Sequence, residues 1–97
     1  MVQDQDEVVA KIREAKADLE ARYSVRKIGV FGSFARGSAS ADSDVDILVE
    51  FTDPTFDNYM DLKFRLEEMF GRKVDLVLAD TIKPRLQPII AREVQYA

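Results

Sequence analysis

The chain has 97 residues, too few for two hydrophobic cores, and reads as a single domain over residues 1–97. Its 14 Lys and Arg against 18 Asp and Glu leave a formal charge of −4, which argues against direct nucleic-acid binding through phosphate-neutralising basic surface. With no Cys and no His, disulfides, zinc sites, thiol nucleophiles and imidazole chemistry are excluded, so acid–base work falls to carboxylates and any metal must be a hard ion held by oxygen.

The start, Met1-Val2-Gln3-Asp4-Gln5-Asp6-Glu7, lacks the basic-then-apolar order of a signal peptide. No apolar run approaches the roughly 20 residues of a membrane span, so the expected setting is cytoplasmic, away from any membrane. From about Asp6 to Arg22, Val8, Val9, Ile12, Ala15 and Leu19 recur at helical spacing between charged residues and predict an amphipathic helix. Lys27 to Phe31 predicts a short strand that stops at Gly32, and Gly32-Ser33-Phe34-Ala35-Arg36-Gly37 has room for one or two helical turns. Ser38 to Ser43 reads as a loop.

Val45 to Phe51 predicts a second strand, nearly continuous in apolar character as when both faces are largely covered. After a turn at Asp53-Pro54, a long helix is expected from about Asp57 to Phe70. Its stripe is Tyr59, Leu62, Leu66, Met69 and Phe70, and Gly71 is its stop. Lys73 to Leu78 predicts a third strand. The tail carries Leu86, Ile89, Ile90 and Val94 at helical spacing; Pro84 and Pro88 place the helix start near Pro88 after a looser turn. The order α, β, short α, β, α, β, α is that of an α/β (α+β) domain, a small mixed sheet covered by helices.

The chemistry concentrates in Gly32-Ser33, ten further residues, and then Asp44-Val45-Asp46. Alternate residues of a strand share a face, so Asp44 and Asp46 point the same way about 7 Å apart. Two neighbouring carboxylates in an apolar strand repel unless something compensates, and Mg²⁺ is a natural compensator. Asp75, among Val74, Leu76 and Val77, joins them if its strand lies beside the second; three such groups can hold two Mg²⁺ about 3.5–4 Å apart for phosphoryl or nucleotidyl transfer. Gly32 allows close backbone approach, Ser33 opens a helical turn suited to phosphate, and Arg36 one turn later offers a charged donor.

Each piece alone has a plainer reading. Gly32-Ser33 is also an ordinary strand-to-helix turn, Asp44-Val45-Asp46 a loop edge or N-cap, and Asp75 a partner for Arg72 or Lys73. Their combination in the right local structures favours a functional site. Glu67-Glu68 reads as a solvated helix face, Arg22, Arg26 and Lys27 as a solvated rim, and Phe56, Tyr59, Phe64 and Phe70 as core. Tyr23 and Tyr96 can add modestly to a partner interface.

The segments Ile28-Gly29-Val30-Phe31-Gly32-Ser33-Phe34-Ala35-Arg36-Gly37 and Ser43-Asp44-Val45-Asp46-Ile47-Leu48-Val49 resemble the nucleotidyltransferase superfamily of the DNA polymerase β type. With Arg72-Lys73-Val74-Asp75-Leu76-Val77 and the tail Ile89-Ile90-Ala91-Arg92-Glu93, the chain looks more closely like the minimal nucleotidyltransferases, the MntA-type antitoxins. The resemblance implies a nucleotidyltransferase fold and a HEPN-type RNase toxin as partner in a hetero-oligomer. The implied activity is Mg²⁺-dependent transfer of AMP from ATP to a toxin tyrosine hydroxyl. It implies Asp44 and Asp46 as metal ligands, Asp75 as a third that favours deprotonation of the acceptor, and Gly32 with Ser33 as the triphosphate cradle, with Arg36 matching the Ala-Arg-Gly segment. Two readings of other kinds stand beside it: an antitoxin that binds and occludes without catalysis, and a transferase acting on a small molecule or an RNA end.

Overall fold

The computed structural model describes residues 5–37 and 43–97, with the side chains of Ala35 and Arg36 left aside. The loop expected at residues 38–43 therefore lies almost wholly outside the described residues. In chain order come α1 (Gln5–Tyr23), β1 (Val25–Phe31), α2 (Ser33–Arg36), β2 (Val45–Phe51), α3 (Phe56–Phe70), β3 (Val74–Leu78), a 3₁₀ turn (Ala79–Thr81), α4 (Gln87–Glu93) and β4 (Gln95–Tyr96). β1 begins two residues earlier than the strand expected from Lys27, because the exposed Arg26 separates Val25 from the apolar run. β4 is an element the sequence does not announce.

The sheet order is β3-β2-β1-β4. β1 is antiparallel to β2 and to β4, whereas β2 and β3 are parallel, joined by the crossover through α3. This register sorts the side chains. Ile28 and Val30 on β1, Val45, Ile47 and Val49 on β2, and Val74 and Leu76 on β3 are buried in one cluster with Val8, Ile12 and Leu19 of α1 and Leu62, Leu66 and Phe70 of α3. Burying each such side chain contributes about 1.5–3 kcal/mol, so this inner face supplies most of the driving force. Strand alternation sends Phe31, Asp46, Leu48, Asp75 and Val77 to the other face, over which the chain from the 3₁₀ turn to α4 passes.

α3 is capped at both ends. Thr55 Oγ1 accepts the Asn58 N–H at 3.1 Å, and Gly71, at φ 64°, donates its N–H to the Glu67 carbonyl at 2.8 Å. The Tyr59 hydroxyl donates to the Leu76 carbonyl at 2.7 Å, tying α3 to β3. Two sequence expectations on this helix are corrected. Phe56 and Phe64 are 76% and 58% exposed rather than core; Phe64 lies opposite the stripe of Leu62 and Leu66, and Phe56 sits at the helix's first residue. Glu67 is not merely solvated: its Oε2 accepts the Val74 N–H at 3.1 Å where β3 begins.

The tail closes the sheet. β4 pairs Tyr96 with Gly29 and Gln95 with Val30, Ala97 donates its N–H to the Ile28 carbonyl at 3.0 Å, and Lys16 Nζ reaches the Ala97 carbonyl at 2.9 Å. Gly29 is required here: a Cβ at that position would stand 2.7 Å from Val94 Cγ2 and 3.0 Å from the Gln95 carbonyl oxygen. Lys27 Nζ lies 4.7 Å above the Tyr96 ring, so Tyr96 packs on its own domain's strand.

Candidate functional site

Two adjacent parallel strands, β2 and β3, deliver the acidic residues to one row. Asp46 stands opposite Phe31 on β1 and in register with Asp75 on β3, which places the Asp46 and Asp75 backbones one strand spacing, about 4.8 Å, apart with side chains on the same outer face. Asp44 lies just ahead of β2, where the Val45 N–H donates to the Lys73 carbonyl at 3.0 Å and extends the pairing. Asp46 is half-buried, while Asp44 and Asp75 are exposed. The alternate residues Val74 and Leu76 face the core, and Asp75 faces outward. Among the described residues, no three carboxylates gather tightly enough to form a ready-made metal cage.

Gly32 joins this row to the next turn of chain. It adopts φ 74° and ψ −145°, a region essentially reserved for glycine, and Phe34 anchors the following turn by burying its ring in the core. A Cβ on Gly32 would overlap Asp46 Oδ2 and stand 2.9 Å from Asp46 Cγ. The glycine is therefore what lets the β1 end press against the central carboxylate. Ser33 follows as the first residue of α2, and Gly37 at φ 73° ends that single turn. The backbone of Arg36 belongs to α2, and its side chain lies outside the described set.

Two residues outside the candidate site read from the sequence brace this arrangement. Glu93, at the end of α4, accepts the Gly32 N–H on Oε2 at 3.4 Å across 61 residues of chain. The Arg72 side chain donates from Nη1 to the Ser43 carbonyl at 3.0 Å, one residue before Asp44, and its guanidinium lies 5.2 Å from the Phe34 ring centroid. The plainer expectation for Arg72, a partner for Asp75, gives way to this bracing role; a residue at the mouth of β3 can reach across to the mouth of β2. No local pattern signals either contact, since both join distant segments.

The donor chemistry suits a hard divalent cation: carboxylate oxygens on adjacent strands, no nitrogen or sulfur ligand, and a glycine that keeps the space beside Asp46 free of side chain. Such an arrangement can hold a polyphosphate against a metal and steer a hydroxyl toward it.

Comparison with known proteins gives a consistent result. The family model for the nucleotidyltransferase domain matches residues 12–97. Protein adenylyltransferase MntA of Thermococcus cleftensis is 41% identical over 92 residues, covering 94% of this chain and 93% of its own. Among solved structures, one described as a minimal nucleotidyltransferase superposes with a TM-score of 0.80 at 39% identity, over 96% of this chain and 95% of that one. A complex of tri-AMPylated Shewanella oneidensis HEPN toxin with its MNT antitoxin superposes with a TM-score of 0.66 at 22% identity, over 95% of this chain and 70% of that one, a likeness of fold. Among the described residues, no helix is long and apolar enough to cross a membrane.

Proposed function

Because this chain belongs to the nucleotidyltransferase family, alongside the MntA-type protein adenylyltransferases, we propose that it is an antitoxin that transfers AMP from ATP to a tyrosine hydroxyl of a HEPN-type toxin. The observation that carries the proposal is the in-register pair Asp46 and Asp75 with Gly32 pressed against Asp46. In this reading Asp44, Asp46 and Asp75 hold Mg²⁺, with two ions as the family implies. Gly32 and Ser33 cradle the triphosphate, and Arg36 contacts a phosphate. Bound Mg²⁺ would neutralise phosphate charge and make the α-phosphorus more electrophilic. The chain's own contributions are positional. Asp46 sits at the centre of the row, Gly32 keeps the cradle close to it, and Asp75 takes the proton of the entering hydroxyl. Support for the donor and partner comes from the tri-AMPylated toxin bound to the MNT antitoxin of like fold. The proposal also covers the domain organisation, with residues 1–97 acting as one unit.

The test is intact mass spectrometry of a HEPN-type toxin, sought in the gene adjacent to this one, after incubation with ATP and Mg²⁺. An increment of one or more AMP groups is expected, persisting with loss of RNase activity once the antitoxin is removed. Full recovery of RNase activity on separation would reject catalysis in favour of occlusion.

A further inference from the structure

α3 turns more than one apolar surface outward from its axis. Leu62, Leu66 and Phe70 are buried in the core. Away from that stripe, Phe56, Met60 and Phe64 recur at i, i+4 and i+8 and form a ridge about 12 Å long. Phe56 is 76% exposed and Phe64 58% exposed, while Met60 is half-buried. A second row runs beside the ridge: Asp57, Asp61 and Glu68, all exposed, stand at i−7, i−3 and i+4 from Phe64 and so share its side of the helix. Where α1 ends, Tyr23 completes a groove of about 290 Å³ with Asp61, Phe64, Arg65 and Glu68.

Charge and shape define what covers this ridge. Exposed aromatic side chains in one row mark a contact surface rather than chance exposure. Three carboxylates against the single guanidinium of Arg65 give the groove a negative potential, which repels nucleic acid and anionic lipid. A second copy laid face to face across a two-fold axis would bring the same acidic row against itself. The complement is a protein segment with an apolar stripe flanked by Lys or Arg, the pattern of a basic amphipathic helix. The groove also stands clear of the chemistry. Tyr23 leads into the start of the seven-residue β1, and Asp46 is paired with its far end, about 20 Å away.

We propose that the α3 ridge is a docking surface, separate from the nucleotide site, for a basic amphipathic helix of the protein this chain modifies; the inference rests on the partner reading given above. Phe56 and Phe64 enter the apolar stripe of that helix, and Asp57, Asp61 and Glu68 meet the cations on its flank. A Lys or Arg reaching into the groove also lies against the rings of Tyr23 and Phe64. Binding here requires neither ATP nor Mg²⁺ and leaves the carboxylate row open, so the partner is held whether or not the nucleotide site is filled.

The experiment measures binding to an immobilised HEPN-type toxin, sought in the gene adjacent to this one, by surface plasmon resonance without nucleotide at low and high NaCl. Wild type is compared with Phe64→Ala and with the double variant Asp61→Lys, Glu68→Lys, all exposed positions where the fold should survive, checked by unliganded melting. Phe64→Ala should raise Kd about tenfold, mainly through faster dissociation. The charge reversal should raise Kd about tenfold or more at low salt, mainly through slower association, and the difference should shrink as NaCl rises. In both, the rise in Tm with Mg²⁺ and ATP should match wild type. Unchanged Kd in both variants would overturn the proposal, as would loss of that rise in Tm. So would wild-type self-association, seen by sedimentation, that Phe64→Ala abolishes while toxin binding stays intact, since a second copy would then cover the ridge. Absence of toxin binding by wild type would overturn the docking surface and the partner reading together. Binding by wild type without AMP transfer would remove the nucleotidyltransfer reading alone and leave the docking surface standing.

Discussion

Replacing Gly32 by alanine tests the geometry of the site at its tightest point. Two effects add. The backbone at φ 74° and ψ −145° is nearly closed to residues with a Cβ, at about 1–3 kcal/mol for a single strained residue. The new methyl would also overlap Asp46 Oδ2 and so push the central carboxylate aside. Gly71 is the internal control: it also has positive φ, at 64°, but a Cβ there meets nothing within 4 Å. Gly71→Ala should therefore lose only the left-handed penalty of about 1–2 kcal/mol, which at 4–8 °C per kcal/mol for a domain of this size is a Tm drop on the order of 10 °C. Gly32→Ala should melt lower than Gly71→Ala. It should also lose AMP transfer by about 100-fold or more, since a displacement near 1 Å at reacting groups has that effect, whereas Gly71→Ala keeps its activity at a temperature where both are folded. Differential scanning fluorimetry and mass spectrometry of the modified partner give the two readouts. Equal activity in the two variants would refute the claim that Gly32 exists to admit Asp46.

Asp46→Asn should abolish transfer while leaving the fold intact, because it removes a charged ligand without changing core volume; full modification of the partner by this variant, seen by intact mass, would reject the assignment. Mg²⁺ with ATP at one hundred times Kd should stabilise wild type by about 2.7 kcal/mol, a rise in Tm on the order of 10–20 °C that Asp46→Asn should erase. An undiminished rise in that variant would place the nucleotide elsewhere. Glu93→Ala should raise KM for ATP several-fold by releasing the Gly32 N–H, and Glu93→Gln, which keeps an accepting oxygen, should restore most of the loss. A wild-type KM in Glu93→Ala would show the contact to be idle.

What the sequence revealed follows the range of the forces involved. β2 and α3 were legible because their signals are local: a run of Val45, Ile47, Leu48 and Val49 in one case, a stripe ending at Gly71 in the other. The parallel neighbour of β2 was needed to bring Asp75 beside Asp46, and the sequence offered it only as a condition. The start of β1 is masked by Arg26, whose exposure is compatible with a strand but cuts Val25 off from the apolar run. β4, with two exposed residues, has no local signature at all; it exists because Gly29 leaves room for it. Glu93 and Arg72 act through contacts set by the finished fold, so neither was visible as a site residue. Residue type alone points Phe56 and Phe64 to the core, where helical phase is the better guide for Phe64.

The contact between Gly32 and Glu93 closes a loop of 61 residues. Loop-closure entropy and the dependence of β4 on an already formed β1 place that contact late in folding, after β1, β2 and β3 have assembled on α1 and α3. On the proposed function, a nucleotide at Gly32-Ser33 would stabilise interactions largely absent from the folding transition state. Its effect falls on the rate of unfolding and leaves the rate of folding nearly untouched. In a chevron plot, Mg²⁺ and ATP would lower the unfolding limb alone, so the liganded protein would persist by opening rarely rather than by folding faster.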